Sequence, residues 1–332
     1  MKKILLLLIL FLCSSCYDYQ EVNDLAIVSG MAIDYIDDNY YLTYEVINTK
    51  NDKEDTNSYT YTSSGNTISL AIENINKMIP KKVSLSHLDI VIISKSLANH
   101  GLYNISDYFF RNNKITTNFY LVMSNINPKN ILENKSENYQ VNSIAIKNIL
   151  KENKIDIHEQ FDYLISYIMD NSKNIVIPSV KLDNNIIIDN YAMFKGDKFY
   201  SYLDEEDNKV FKLLKNKGKI TYDINDTNIN IKNNKTSVYV DDKKYIINIK
   251  TLAYIEEKNM DVNYNLLEEL AKKELKEKIN NFILKELDND IDILGFKKIY
   301  HIKHPNDLIE NYKLPVEINV EFKIDDIGYV RW

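Results

Sequence analysis

Near the end of the chain, Val316, Ile318, Val320, Phe322 and Ile324 alternate without a break with Glu317, Asn319, Glu321 and Lys323. Successive side chains of a strand point to opposite faces, so this stretch reads as a strand with five apolar side chains on one side. A sheet with one apolar face must bury it against another element. The natural counterpart lies upstream, in a helix expected over residues 265–287. Leu266, Leu270, Leu275, Ile279, Phe282, Ile283 and Leu287 line one side of it, and Lys and Glu fill the other. Before that helix, residues 228–231, 237–240 and 245–255 read as an antiparallel meander with a tight turn at Asp241-Asp242. The C-terminal third is therefore expected to be an antiparallel sheet packed on one long helix.

The rest of the chain mixes both periodicities. Residues 25–34, 40–47, 88–93, 119–123, 175–180 and 186–194 read as strands. Ile68, Ala71, Ile72, Ile75 and Ile79 recur at helical spacing and stop at Pro80, and residues 96–111, 141–150 and 159–169 are also expected to be helical. The polar stretch 48–66 reads as a loop. The fold class is α+β, with mixed and antiparallel sheets. A length of 332 residues suits two or three domains. The expected division is a signal segment over 1–15, an N-terminal α+β domain over 16–135, a middle α+β domain over 136–215 and a C-terminal domain over 216–332.

Composition removes several functions. The 7 glycines are too dispersed to build a phosphate-cradling loop, which needs several within one turn. Lys+Arg total 41 against 48 Asp+Glu, so the chain lacks the basic excess of a nucleic-acid binder. At the N-terminus, Lys2 and Lys3 precede an apolar run over 4–12, and Cys13, Ser14, Ser15 and Cys16 follow. That is the form of a secretory signal, and the run is too short to cross a bilayer. Two small residues before a cysteine are similar to a bacterial lipobox, which marks Cys16 as the lipidated residue; bulky Leu12 fits poorly before Cys13. Removal of residues 1–15 takes both cysteines out of thiol chemistry, Cys13 with the signal and Cys16 by acylation. It also takes Lys2 and Lys3, moving the formal charge from -7 to -9. An acidic body on an anionic membrane is held by its anchor rather than by surface charge.

The titratable residues form no recognisable catalytic or metal-binding motif. His87 and Asp89 share a strand face and could form an acid/base pair, but a structural histidine at a strand start is the expected reading. His301 and His304 have helical metal-ligand spacing, yet Pro305 argues against a helix there and no carboxylate completes the set. Asp34, Asp37, Asp38 and Asn39 lack the spacing and glycine of a calcium loop and read as a β-turn. Glu205 and Glu206 fall in a charge run over 204–207, read as a solvated loop. The 25 tyrosines are dispersed along the strands, where they suit a half-buried pleated surface. No cofactor, no metal site and no enzymatic centre is expected.

Several stretches, taken in order, resemble one family. Residues 16–30 (CYDYQEVNDLAIVSG), with Ile33-Asp34 after them, are similar to the start of the Ger(x)C family, the C subunits of bacterial spore germinant receptors. Ser86-His87-Leu88, Leu97-Ala98, Gly101-Leu102 and Asp107-Tyr108-Phe109 with Arg111 resemble its middle motif. Residues 192–198 (AMFKGDK) with 202–205 (YLDE) resemble a third segment, and 292–296 (DILGF) and 316–328 its C-terminal motifs. Tyr17, Ser201 and Tyr191 depart from the family pattern. The resemblance implies a three-domain α+β structure and a non-enzymatic subunit required for the response to nutrients. It implies a lipid anchor at Cys16, residence on the outer face of the spore inner membrane, and two membrane partners, a receptor A subunit and a transporter-like B subunit. Germinant binding is assigned mainly to the B subunit, so no germinant site is placed on this chain. The competing readings are a solute-binding lipoprotein of a transporter and an exported hydrolase.

Overall fold

The computed structural model describes residues 24–48, 57–134, 139–155, 160–224, 227–241, 243–258 and 263–325. The signal segment, Cys13, Cys16, His158 and Gly328 lie outside them.

Residues 25–202 are organised by a nine-stranded sheet. Its strands are β1 (Leu25–Ile36), β2 (Asn39–Ile47), β3 (Ser58–Gly65), β4 (Lys82–Ser84), β5 (Ile90–Ser94), β6 (Tyr120–Ser124), β7 (Val176–Asp183), β8 (Asn185–Lys195) and β9 (Lys198–Tyr202). The order is β3-β2-β1-β5-β6-β7-β8-β9, with β4 pairing in parallel beside β1. β1, β5, β6 and β7 are mutually parallel, and antiparallel hairpins flank them on both sides. The sheet draws strands from both sides of residue 135.

Both faces of this sheet are covered. Val91, Ile93, Leu121, Met123, Met31 and Ile33 point to one side. There they meet α1 (Ile68–Met78), α2 (Lys95–His100), α3 (Tyr103–Arg111) and α6 (Phe161–Met169). Ile90, Ile92, Tyr120, Val122 and Ala32 point to the other. They meet α4 (Pro128–Leu132), α5 (Asn142–Glu152) and α7 (Glu205–Lys215). A strand buried on both faces has no polar side to show, which is why β5 reads as an unbroken apolar run.

The second sheet is β10 (Thr221–Ile224), β11 (Thr227–Asp241), β12 (Lys244–Lys258) and β13 (Val316–Ile324), in that order. α8 (Tyr264–Asp288) and α9 (Phe296–Lys303) connect β12 to β13. β10, β11 and β12 form the expected antiparallel meander, but β13 is added parallel to β12. A parallel neighbour requires a crossover connection, and the α8–α9 segment supplies it. Ile318 and Phe322 are buried in one core with Leu267, Leu275, Ile279, Phe282 and Ile283 of α8, as the alternation and the helical stripe require.

Local expectations fail where tertiary context intervenes. The stretch read as a loop over 48–66 contains β3, an edge strand of Ser, Thr, Tyr and Gly in which only Ser63 and Gly65 are fully buried. The helix expected over 96–111 is two, because Gly101 takes φ +119° between them. The charge run 204–207 starts α7: Asp204 accepts from the Asp207 N–H, and three acidic residues fill the first turn, where the helix dipole favours them. The strands expected at 228–231 and 237–240 are one strand with a bulge between Ile231 and Asn233. On α8 the stripe begins at Leu267 and Ala271, and Leu266 and Leu270 are exposed. Four-residue steps back from Ile279 lead to Leu275, Ala271 and Leu267, and small Ala271 carries too little hydrophobic signal to mark the face.

Candidate functional site

The family-like stretches converge on the two ends of the β8–β9 hairpin. Its turn carries Gly196 at φ +62° and then Asp197. The Asp197 carbonyl accepts from the Leu102 N–H at 2.9 Å and its Oδ2 from the Tyr103 N–H at 3.3 Å. α3 has no side-chain cap of its own, so Asp197 caps it from across the fold. A Cβ at Gly101 would stand 2.5 Å from Asp197 Oδ2, and the backbone there is left-handed, so this close approach requires glycine.

On the other side, the hairpin holds the C-terminal unit. Asn174, just before β7, donates from its side chain to the Phe194 carbonyl and exchanges two hydrogen bonds with Asp292: Asn174 N–H to Asp292 O and Asp292 N–H to Asn174 Oδ1, both 2.8 Å. The Asp292 carboxylate accepts from the N–H groups of Gly295, Phe296 and Lys297, each at 2.8 Å, and so caps α9. Burial raises its pKa, and the three N–H donors oppose that rise. Lys195 Nζ donates to the Asn289 carbonyl, and Lys285 of α8 pairs with Asp204 and Asp207 of α7. Burial acts against the charge on Asp204, but the Asp207 N–H and Lys285 more than offset it, so its pKa lies below the ordinary value.

A second buried carboxylate, Glu45 in β2, gave no sequence signal. It is fully buried and accepts from the Asn142 and Ser143 N–H groups at the start of α5, both at 2.8 Å, and from Ser58 Oγ at 2.9 Å. Gly30 lets α5 approach β1, since a Cβ there would stand 2.7 Å from Ser143 Cβ. Each accepting three hydrogen bonds, Glu45 and Asp292 hold helix ends in place.

The sequence-flagged titratable groups do not assemble into chemistry. His87 is exposed in a turn before β5 rather than at a strand start, and Asp89 pairs with Lys147 of α5. His301 does lie on a helix, because Pro305 constrains only its predecessor His304, the residue that ends α9. Asp37 and Asp38, both at positive φ, form the β1–β2 turn as expected. Among the described residues no group of three His, Cys, Asp or Glu side chains could hold a metal, and no helix is long and apolar enough to cross a membrane. Two grooves flank α3. A polar one of about 540 Å³ faces α1 and includes Thr67, Asn104, Arg111 and Asn112. An apolar one of about 310 Å³ faces α6.

Comparison with known proteins places this architecture. The model of the spore germination protein N-terminal domain matches residues 18–182, and that of the spore germination B3/GerAC-like C-terminal domain matches residues 189–328. The chain belongs to the Ger(x)C family. Among Ger(x)C relatives, spore germination protein KC of Bacillus subtilis (strain 168) is 28% identical over 144 residues, 39% of this chain and 35% of KC. The matched region is thus about a third of that relative's length. The crystal structure of the GerBC protein superposes with a TM-score of 0.58 at 18% identity, covering 93% of this chain and 100% of that one. This likeness extends the Ger(x)C fold over both sheets.

Proposed function

We propose that this chain is the lipid-anchored C subunit of a nutrient germinant receptor. It works without catalysis beside a receptor A subunit and a transporter-like B subunit, on the outer face of the spore inner membrane. The observation that carries the reading is the ordered match of two spore germination domain models over residues 18–182 and 189–328. The family-like stretches support a scaffolding role, since Asp197, Asp204 and Asp292 cap helices and join units. Cys16 is the proposed attachment point, from the apolar run and Ser14-Ser15 before it. Two or three acyl chains anchor stably where one does not.

The test is Cys16→Ala in sporulating cells fed a fatty-acid analogue. Label on the chain is expected to vanish, the chain to leave the membrane fraction, and both partner subunits and the nutrient germination rate to fall. Retained label and membrane association with unchanged germination would sink the proposal. Label lost in Cys13→Ala instead would move the anchor to that residue.

A further inference from the structure

The groove between α3 and α6 is lined by Tyr103, Phe110, Ile165, Ile168 and Met169. Met169 is 74% exposed, Tyr103 68% and Phe110 49%, although the helices bearing them bury their other faces in the sheet core. Phe110 is held in place by stacking on buried Phe161, with centroids 5.8 Å apart. A concentration of large apolar side chains around one concave surface marks an interaction site, unlike apolar residues scattered singly. The charged groups lining this groove, Asp107 and Asp197, are both carboxylates. Arg111 lines the polar groove on the other flank of α3, where it pairs with Asp107.

We propose that this groove docks an amphipathic helix of a protein partner, with apolar side chains in the cleft and Lys or Arg beside Asp107 and Asp197. Its two walls are helices of 9 residues each, a length that matches about two turns of a third helix presenting residues at i, i+3 or i+4, and i+7. Charge selects among occupants. An anionic lipid surface would meet the two carboxylates with repulsion. A second copy whose two-fold axis ran through the groove would bring the same carboxylates toward each other. A basic amphipathic helix satisfies both the apolar floor and the acidic rim. The inference goes beyond the receptor reading, and it stands whether or not the partner is a receptor subunit.

The test places a photoreactive phenylalanine analogue at Met169 of the full chain in spores, with the same residue at exposed Ile302 as control. Cross-linked peptides are then sequenced by mass spectrometry. The expected product at Met169 is a helical partner segment with an apolar stripe flanked by Lys or Arg, absent at Ile302. Asp107→Lys is expected to lower the yield about fivefold, the equivalent of losing one rim ion pair. Asp107 is exposed and its pair with Arg111 within α3 contributes little, so the thermal melt of that variant should shift only slightly. No cross-link, a cross-link to lipid, to a second copy or to an acidic segment, or a yield indifferent to Asp107→Lys would each overturn the proposal. A basic helix from a protein unconnected with germination would keep it and remove the receptor reading instead.

Discussion

The two sheets bury their residues by different rules. In the nine-stranded sheet every residue of β5 and β6 is buried, because helices cover both faces. In the four-stranded sheet β13 buries only Ile318 and Phe322 completely, and its even-spaced partners face solvent. There Lys244 pairs with Glu317, Lys250 with Glu321 and Asn319 with Asn248, a polar surface of cross-strand pairs. Coverage by neighbouring elements, and not strand propensity, decides how sensitive each position is.

Consecutive substitutions break or confirm this contrast most directly. Phe322→Ala should cost about 3–5 kcal/mol and Glu321→Gln should leave stability nearly unchanged, measured by urea unfolding. In β5, Ile92→Ala should cost about 2–5 kcal/mol, and its neighbour Val91→Ala should also be clearly destabilising, because both side chains are buried on opposite faces. Comparable losses at Phe322 and Glu321, or a tolerant position within β5, would break the comparison.

The joint between the two regions holds a buried carboxyl. Glu286 of α8 is only 5% exposed, and among the described residues its Oε2 meets no hydrogen-bond partner. Burial, with Asp207 nearby, pushes its pKa up to about 7, while Lys285 acts in the opposite direction. A carboxyl raised in the folded state contributes stability below its unfolded pKa, and that contribution fades as pH rises toward 7. Stability should therefore fall by up to about 3 kcal/mol between roughly pH 4.5 and 7 on account of this group. Glu286→Gln should flatten the profile in that window. The same slope in both proteins would show that the joint is not what titrates.

The smallest expected effect sharpens the second region. Leu266→Ala should stay within about 0.5 kcal/mol, since the side chain is exposed. Leu267→Ala, one position on, should cost about 2–4 kcal/mol. Equal losses would restore the stripe expected from the sequence.

What could be read without coordinates follows from periodicity. The alternation over Val316–Ile324, the helical stripe from Leu275 to Leu287 and the apolar run of β5 each describe how a segment meets its surroundings, so they survive as single elements. The order of the family-like stretches is legible in the same way, because it is a property of the chain and needs no neighbour. Polar edges were illegible. β3 resembles a loop because an edge strand with little to bury carries no apolar signal, and the acidic start of α7 looks like a solvated run until Lys285 is placed against it. Glu45 could not be found at all, since its partners Asn142 and Ser143 are nearly a hundred residues away in the chain. Sequence alone thus determined the α+β composition, the sidedness of the main elements and the family. Only the tertiary structure decided the parallel addition of β13, the doubly covered sheet, the buried carboxylates at helix ends and the groove beside α3. Each of those depends on which distant segment supplies the neighbour, and burial and hydrogen-bond satisfaction are properties of neighbours.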